Sequence, residues 1–308
     1  TITPTPIPTP IVPSTTFNVK DYGATGGGIA DDTVAIQKTV DAAAVIGGGI
    51  VYLPTGTYRT YVAHSVCPDV GGSIDLKDNI RLKGDGPGKT FVVGANSNTH
   101  PIAACGKTNI GVSDLEIYGV EGTTGIDGIK FYGCNSVTVS NIVAHDLYEG
   151  IALYGAHDSI IEDSVAYNNS NVGIDTGESA LGVQQGANNI VRNCTTRNNA
   201  NAGFRFSGYP PPQTTPIIVS RANGTTWDHC TSINDKKAFF PSYAQNLTVT
   251  NCIAITPLEH GLEIYGTDNV TITAFTGEIR VNHFADVVAK YGYSSNVTRD
   301  GIPVVAVF

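Results

Sequence analysis

Three short runs carry most of the reactive side chains: DGIKFYG at 127–133, EGIALYG at 149–155 and HGLEIYG at 260–266. Each places an acid or a histidine before a glycine and a tyrosine near its end. Two related runs, VGIDTGE and AGFRFSG, add Asp175 and Arg205. A cation beside an acid, as with Lys130 and Asp127 or Arg205 and Asp175, can move a proton or steady a developing negative charge. Arginine is a poor base because its pKa is so hard to lower, so Lys130 is the easier proton acceptor. Paired carboxylates offer hydrolysis instead, provided the two flank a bond at roughly 5–9 Å. Asp127 with Glu149, or Asp175 with Glu178, could form such a pair, and like-charge neighbours would raise one member into the range of a general acid. Asp127 and Glu149, with Asp175 near them, could also hold calcium, the one cofactor these acids suggest, although no Asp-rich loop marks a site.

These residues do chemistry together only if distant segments are brought side by side. The residues that open successive apolar runs are Pro101, Gly128, Gly150, Gly173, Gly203, Ala238 and Gly261, spaced by 27, 22, 23, 30, 35 and 23 positions. A period near 22 with two or three β-type segments is one coil of a parallel β-solenoid. With alternate residues facing out, one outward column reads Asp75, Ala103, Lys130, Ala152, Asp175, Arg205, Phe240, Glu263. The next reads Lys77, Cys105, Tyr132, Tyr154, Gly177, Ser207, Ser242, Tyr265. A third reads His100, Asp127, Glu149, Val172, Ala202, Lys237, His260. The strip suits a linear polysaccharide lying along the solenoid: Tyr132, Tyr154 and Tyr265 can meet sugar rings, and Lys237, His260 and Glu263 can bind substrate.

Other features fit the same architecture. Asp146, Asn169, Asn199 and Asn234 stand four residues before their glycine or alanine anchors, an expected column of corner residues bonded along the axis. Cys194, Cys230 and Cys252 recur at one place in successive repeats and predict a stack of small buried thiols rather than disulfides. Trp227 is expected in the core. The segments 176–189 and 207–230 are expected to wall a cleft. Residues 31–46 predict a helix that Asp31 and Asp32 cap and Gly47 ends, followed by a strand at 50–54. Residues 1–16 form a Pro/Thr-rich extended tail, and residues 17–308 a single domain. The first residue is not Met and Met is absent throughout, which suggests a start at a processing site or a cloning boundary. A formal charge of -9 argues against nucleic acid as the main partner, and no apolar run reaches the roughly 20 residues of a membrane span. Six Asn-x-Ser/Thr sequons, beginning at Asn168, Asn193, Asn223, Asn246, Asn269 and Asn296, say little in a chain so rich in Asn and Thr.

FNVKDYGATGGGIADDTVAIQKTVDAA followed by GGGIVYLPTGTYR resembles the N-terminal signature of the pectate-lyase-like right-handed parallel β-helix superfamily. The signature covers about residues 17–59 and the coil pattern extends the likeness to about 275; Gly27 and Gly28 stand where the usual member has an Asp. The resemblance implies an all-β, right-handed parallel β-helix whose N-terminal α-helix, 31–46, caps the open end against strand addition. Its members include pectate lyases, glycoside hydrolases, mannuronan epimerases and phage tailspikes, so it implies fold more sharply than activity. The expected function is a secreted lyase, extracellular or at the cell surface, acting on an acidic, uronate-containing polysaccharide. Arg205, Lys130 and Asp175 would be catalytic, with Arg205 or Lys130 taking the proton beside the uronate carboxylate. The epimerase pattern of an aspartate and a histidine is incomplete: its best match has Ala152 and Tyr154, and a shift of one coil gives Asp175 but Gly177. Paired aspartates with a Gly-His-Gly, as in polygalacturonases, are missing. The second reading is a non-catalytic structural or adhesive β-helix, a filament or sheath subunit or a tailspike-like glycan binder, that forms a homo-oligomer through residues 1–14.

Overall fold

The computed structural model describes residues 15–67, 70–120, 125–177, 186–208, 222–282 and 296–304. Residues 1–14, Glu178 and most of the two expected loop walls lie outside them. Parallel strands stack coil upon coil into two sheets, one of ten strands and one of nineteen that makes up the other sides. Nine strands of the smaller sheet carry the outward columns or extend them: β1 (Val70–Asp75), β2 (His100–Cys105), β3 (Ile129–Tyr132), β4 (Glu149–Tyr154), β5 (Val172–Asp175), β6 (Ala202–Ser207), β7 (Lys237–Ser242), β8 (His260–Tyr265) and β9 (Ile279–Asn282). They run parallel in chain order, with a short antiparallel strand, His64–Cys67, beside β1.

Alternation decides the layers. Ile74, Ile102, Ile129, Ile151, Ile174, Phe204, Phe239 and Leu262 point inward and are buried. Phe204 stacks on Phe239 with centroids 4.9 Å apart, and the buried Trp227 packs against both rings. Cys194, Cys230 and Cys252 are free, buried thiols in successive coils, and burial pushes the Cys194 thiol up to about 12. The α-helix, α1 (Thr33–Val45), packs Ile36, Val40 and Ala43 against the first coils. Asp31 caps it by accepting from the Thr33 backbone N–H at 3.0 Å. Asp32 holds the N-cap position without a side-chain cap bond; its buried carboxylate instead accepts from the Thr25 and Gly26 N–H groups (2.6 and 3.0 Å) and so closes the glycine-rich turn before the helix. Its 13 residues are too few to span a membrane, and no helix among the described residues is long and apolar enough to do so.

The expected corner column separates into two. Asp146, Asn168, Asn198 and Asn234 take the left-handed corner, with φ of 55, 54, 55 and 53°. Asn169 and Asn199 sit one position later, pointing inward, above Asp235. The cause is a count: Gly150 and Ala238 follow their corners by four residues, Gly173 and Gly203 by five. Measuring back from the glycines therefore moves from one column to the other.

Candidate active site

The outward columns hold in register: Lys130 pairs with Ala152, Ala152 with Asp175, and Asp175 with Arg205. Four consecutive strands, β3 to β6, thereby bring Lys130, Tyr154, Glu149, Asp175 and Arg205 together, with Asp127 entering just before β3. Ala152, fully buried, stands between Lys130 and Asp175 in that column and contributes no charge of its own.

Arg205 is the hub. Its Nε donates to Asp175 Oδ2 at 2.6 Å and its Nη2 to Glu149 Oε1 at 2.5 Å. Tyr154 donates its hydroxyl to the other Glu149 oxygen at 2.5 Å, and Asn171 donates to Glu149 Oε1 at 2.7 Å. Lys130 Nζ lies 2.9 Å from Asp127 Oδ2 and 5.4 Å from the centre of the Tyr154 ring, a cation–π contact. Asp127, Glu149 and Asp175 are buried, while Arg205 and Lys130 keep 17 and 19 % of their side chains exposed. The cations thus form the accessible surface over a floor of acids.

Burial is the first force on these groups. It raises the Asp175 carboxyl to about 6 even though Arg205 opposes the shift. Asp127 and Glu149 also move up, chiefly through burial, against the pull of Lys130 and Arg205. The Tyr154 phenol rises well above its ordinary value, first through burial and then through the charges of Glu149, Asp175 and Asp127. For Arg205, burial pulls downward but the carboxylates of Asp175 and Glu149 outweigh it, so the guanidinium stays protonated. Arg205 can therefore stabilise charge but cannot take a proton, which removes it from the role of base.

Sequence reasoning missed two members. His100 on β2 accepts the Asp127 backbone N–H at Nδ1 (2.8 Å), and burial with the nearby Lys130 charge lowers it to about 3, a neutral ring. It stood in the third column, so its position was legible and its involvement was not. Asn171 carried no signal apart from lying beside the corner.

The expected metal role for Asp127 and Glu149 is not supported. Among the described residues no three His, Cys, Asp or Glu side chains converge as a metal site, and the Glu149 oxygens are taken by Arg205, Tyr154 and Asn171. The proposed Asp127–Glu149 acid pair meets the same obstacle, and the Asp175–Glu178 pair lies partly outside the described residues.

Of the remaining expected binding residues, Tyr132 stays beside Tyr154, while Lys237, His260, Glu263 and Tyr265 gather further along the strip. Lys237 Nζ is 2.8 Å from Glu263 Oε2 and sits over the Phe240 ring at 3.9 Å. His260 Nε2 lies 4.0 Å from Glu263. Tyr132 meets Tyr154 edge-on at 6.2 Å, and Tyr265 meets Tyr243 edge-on at 5.3 Å.

Comparison with known proteins follows the same line. The profile of the family described as rhamnogalacturonase A/epimerase, pectate lyase-like, matches residues 16–276. Mannuronan C5-epimerase AlgE1 of Azotobacter vinelandii is 34% identical over 199 residues, 51% of this chain and 14% of that protein. Alginate lyase 7 of the same organism is 31% identical over 210 residues, 62% of this chain and 23% of that protein. The chain thus spans a minor part of the length of these relatives. The A-module of mannuronan C-5 epimerase AlgE6 from Azotobacter vinelandii superposes with a TM-score of 0.67 at 21% identity, covering 91% of this chain and 84% of that one, a likeness of fold.

Proposed function

Because the chain belongs to the rhamnogalacturonase A/epimerase, pectate lyase-like family, we propose that it is an extracellular enzyme that removes the C5 proton from a uronate residue of an acidic polysaccharide and completes a β-elimination. The observation that carries this reading is the placement of Lys130, Tyr154 and Arg205 on one face above buried acids. The similarity to a mannuronan epimerase and to an alginate lyase points to the same substrate class and to the proton step that both reactions share.

Each role follows from chemistry already described. The Arg205 guanidinium, held as a cation, faces the substrate carboxylate and stabilises the enolate-like charge that grows when C5 loses its proton. Lys130 Nζ is the proton acceptor in this reading, held in place by Asp127 at 2.9 Å and by the Tyr154 ring. Tyr154, kept protonated by burial and by its acidic neighbours, donates to the departing glycosidic oxygen, and Glu149 orients its hydroxyl. Asp175 fixes Arg205 and touches no substrate. Donor and acceptor lie on the same side of the bound polymer, which suits elimination better than epimerisation, where the proton must return from the opposite face.

Purified protein incubated with polymannuronate, polyguluronate and polygalacturonate tests this. Unsaturated ends absorbing in the ultraviolet support elimination. Exchange of solvent deuterium into C5 with inversion, and no new absorbance, would replace the lyase by an epimerase. No exchange and no cleavage on any polyuronate overturns the enzymatic reading in favour of an adhesive or structural β-helix.

A further inference from the structure

The strip carries a second charged cluster whose balance differs from that of the first. In the active-site cluster three buried acids (Asp127, Glu149, Asp175) face two cations (Lys130, Arg205), so both cations are already paired. Around β7 to β9, two cations, Lys237 and Arg280, surround a single buried acid, Glu263, which is bonded to Lys237. Arg280 stands directly beside Glu263 in register. Its Nη1 instead donates to His260 Nε2 at 2.8 Å, and among the described residues no carboxylate lies within ion-pair distance of it.

The histidine adds an independent sign. Arginine has only donors, so His260 Nε2 must accept and the ring proton sits on Nδ1. That Nδ1 is buried and has no hydrogen-bond partner; the nearest acid, the exposed Glu278, is 3.7 Å away. A guanidinium that, among the described residues, is bonded only to a neutral ring, and an N–H with no hydrogen-bond partner, stand on adjacent coils as donors lacking a bonded carboxylate, and leaving such a group unmet costs free energy. A planar carboxylate supplies what both lack.

We propose that Arg280, His260 and Lys237 form a carboxylate subsite that binds a uronate residue remote from the one undergoing reaction. The proposal rests on the reading of the strip as a polyuronate track. Arg205 and Arg280 are three coils apart, roughly 14 Å at the usual spacing between strands, and Phe240 occupies the coil next to Arg205 in that column. The polymer therefore anchors on the cluster whose guanidinium has no carboxylate partner among the described residues and reacts on the cluster whose cations are both paired. That arrangement also resolves a difficulty of the first cluster, whose paired cations would attract an anionic chain only weakly by themselves.

Titration calorimetry of wild type, Arg280→Ala, Arg280→Lys and Lys237→Gln with a hexameric oligomannuronate, and with neutral cellohexaose as control, separates the possibilities. The subsite predicts that Arg280→Ala weakens hexamer binding about 10-fold or more, the effect of losing a hydrogen bond to a charged group. Lys237→Gln should weaken it less, Arg280→Lys should restore part of it, and cellohexaose should not bind tightly. In turnover of the hexamer, KM should rise for Arg280→Ala with kcat nearly unchanged. Wild-type binding that Arg280→Ala and Lys237→Gln both leave intact, in variants that melt at the wild-type temperature, rejects the subsite and spares the functional reading. Failure of wild type to bind any oligouronate rejects that reading itself.

Discussion

Two buried polar constellations lie on the same coils, one at a corner and one on the strip, and they satisfy their charges in different ways. At the corner, Asn169 donates to Asn199 at 2.9 Å and Asn199 to Asp235 at 2.8 Å. Asp235 also accepts from Thr196, Ser232 and the Asn199 backbone N–H. On the strip, Asp127, Glu149 and Asp175 rely on Lys130 and Arg205, and Asp127 Oδ1 has no partner although it is buried. Burial raises the carboxyl of Asp235 just as it raises Asp175. A raised pKa therefore does not distinguish architecture from chemistry here. The type of partner does: neutral donors saturate the corner, whereas partly exposed cations serve the strip.

Removing the hub should produce the largest effect. Arg205→Met leaves Glu149 and Asp175 buried without their cation, and loss of one partner from such a group costs about 3–5 kcal/mol. Urea unfolding at pH 7 should show it, with a smaller loss at pH 5, where Asp175 binds a proton and no longer needs the guanidinium. A loss that is the same at both pH values would mean that Arg205 acts by packing alone. Asn199→Ala is the matching lesion at the corner. It strands the Asn169 backbone N–H and side-chain amide, which both donate to Asn199 Oδ1, and takes one donor from Asp235, an expected cost of about 3 kcal/mol, while turnover of the folded variant stays at the wild-type level. A drop in kcat would erase the proposed division between the two regions.

Tyr154→Phe sharpens the contrast from the other side. It deletes one hydroxyl that donates to the buried Glu149 and keeps the ring under Lys130, so unfolding should change by about 1.5–3 kcal/mol, less than the loss of the hub. Loss of a positioned proton donor should lower kcat by about 100-fold or more. Phenylalanine that supports normal turnover would take Tyr154 out of the chemistry.

The solenoid was legible because stacking demands repetition: the glycine anchors and alternating apolar runs reproduce the observed pairing of Lys130, Ala152, Asp175 and Arg205. The columns gave the neighbours of each residue but not the length of its reach. Arg205 spans two coils to Glu149, which strand register alone does not show. His100 was in its column and went unassigned, because its part depends on a backbone N–H that no sequence pattern marks. Arg280 lies past the last quoted coil, after the period has loosened. The corner failed for a local reason: one extra residue in two of the coils moved Asn169 and Asn199 from the left-handed turn into the core.

The smallest expected effect tests whether the acids of the strip are held at a cost. Asp175 has a carboxyl at about 6 in the folded protein against an ordinary 3.8, so between those values the folded chain keeps a proton that the unfolded chain has released. Stability from this group is therefore fully present below about pH 3.8 and is lost as pH rises through about 6. Asp127, Glu149 and Asp235 shift in the same direction, so the useful quantity is the difference between wild type and Asp175→Asn. Unfolding free energies measured from pH 4 to 7 should fall more steeply for wild type, by a difference on the order of 2 kcal/mol across the window. Equal slopes for wild type and Asp175→Asn would mean that Arg205 fully compensates the buried charge, and the strip would then be as settled as the corner, a structural ion pair with nothing held ready for substrate.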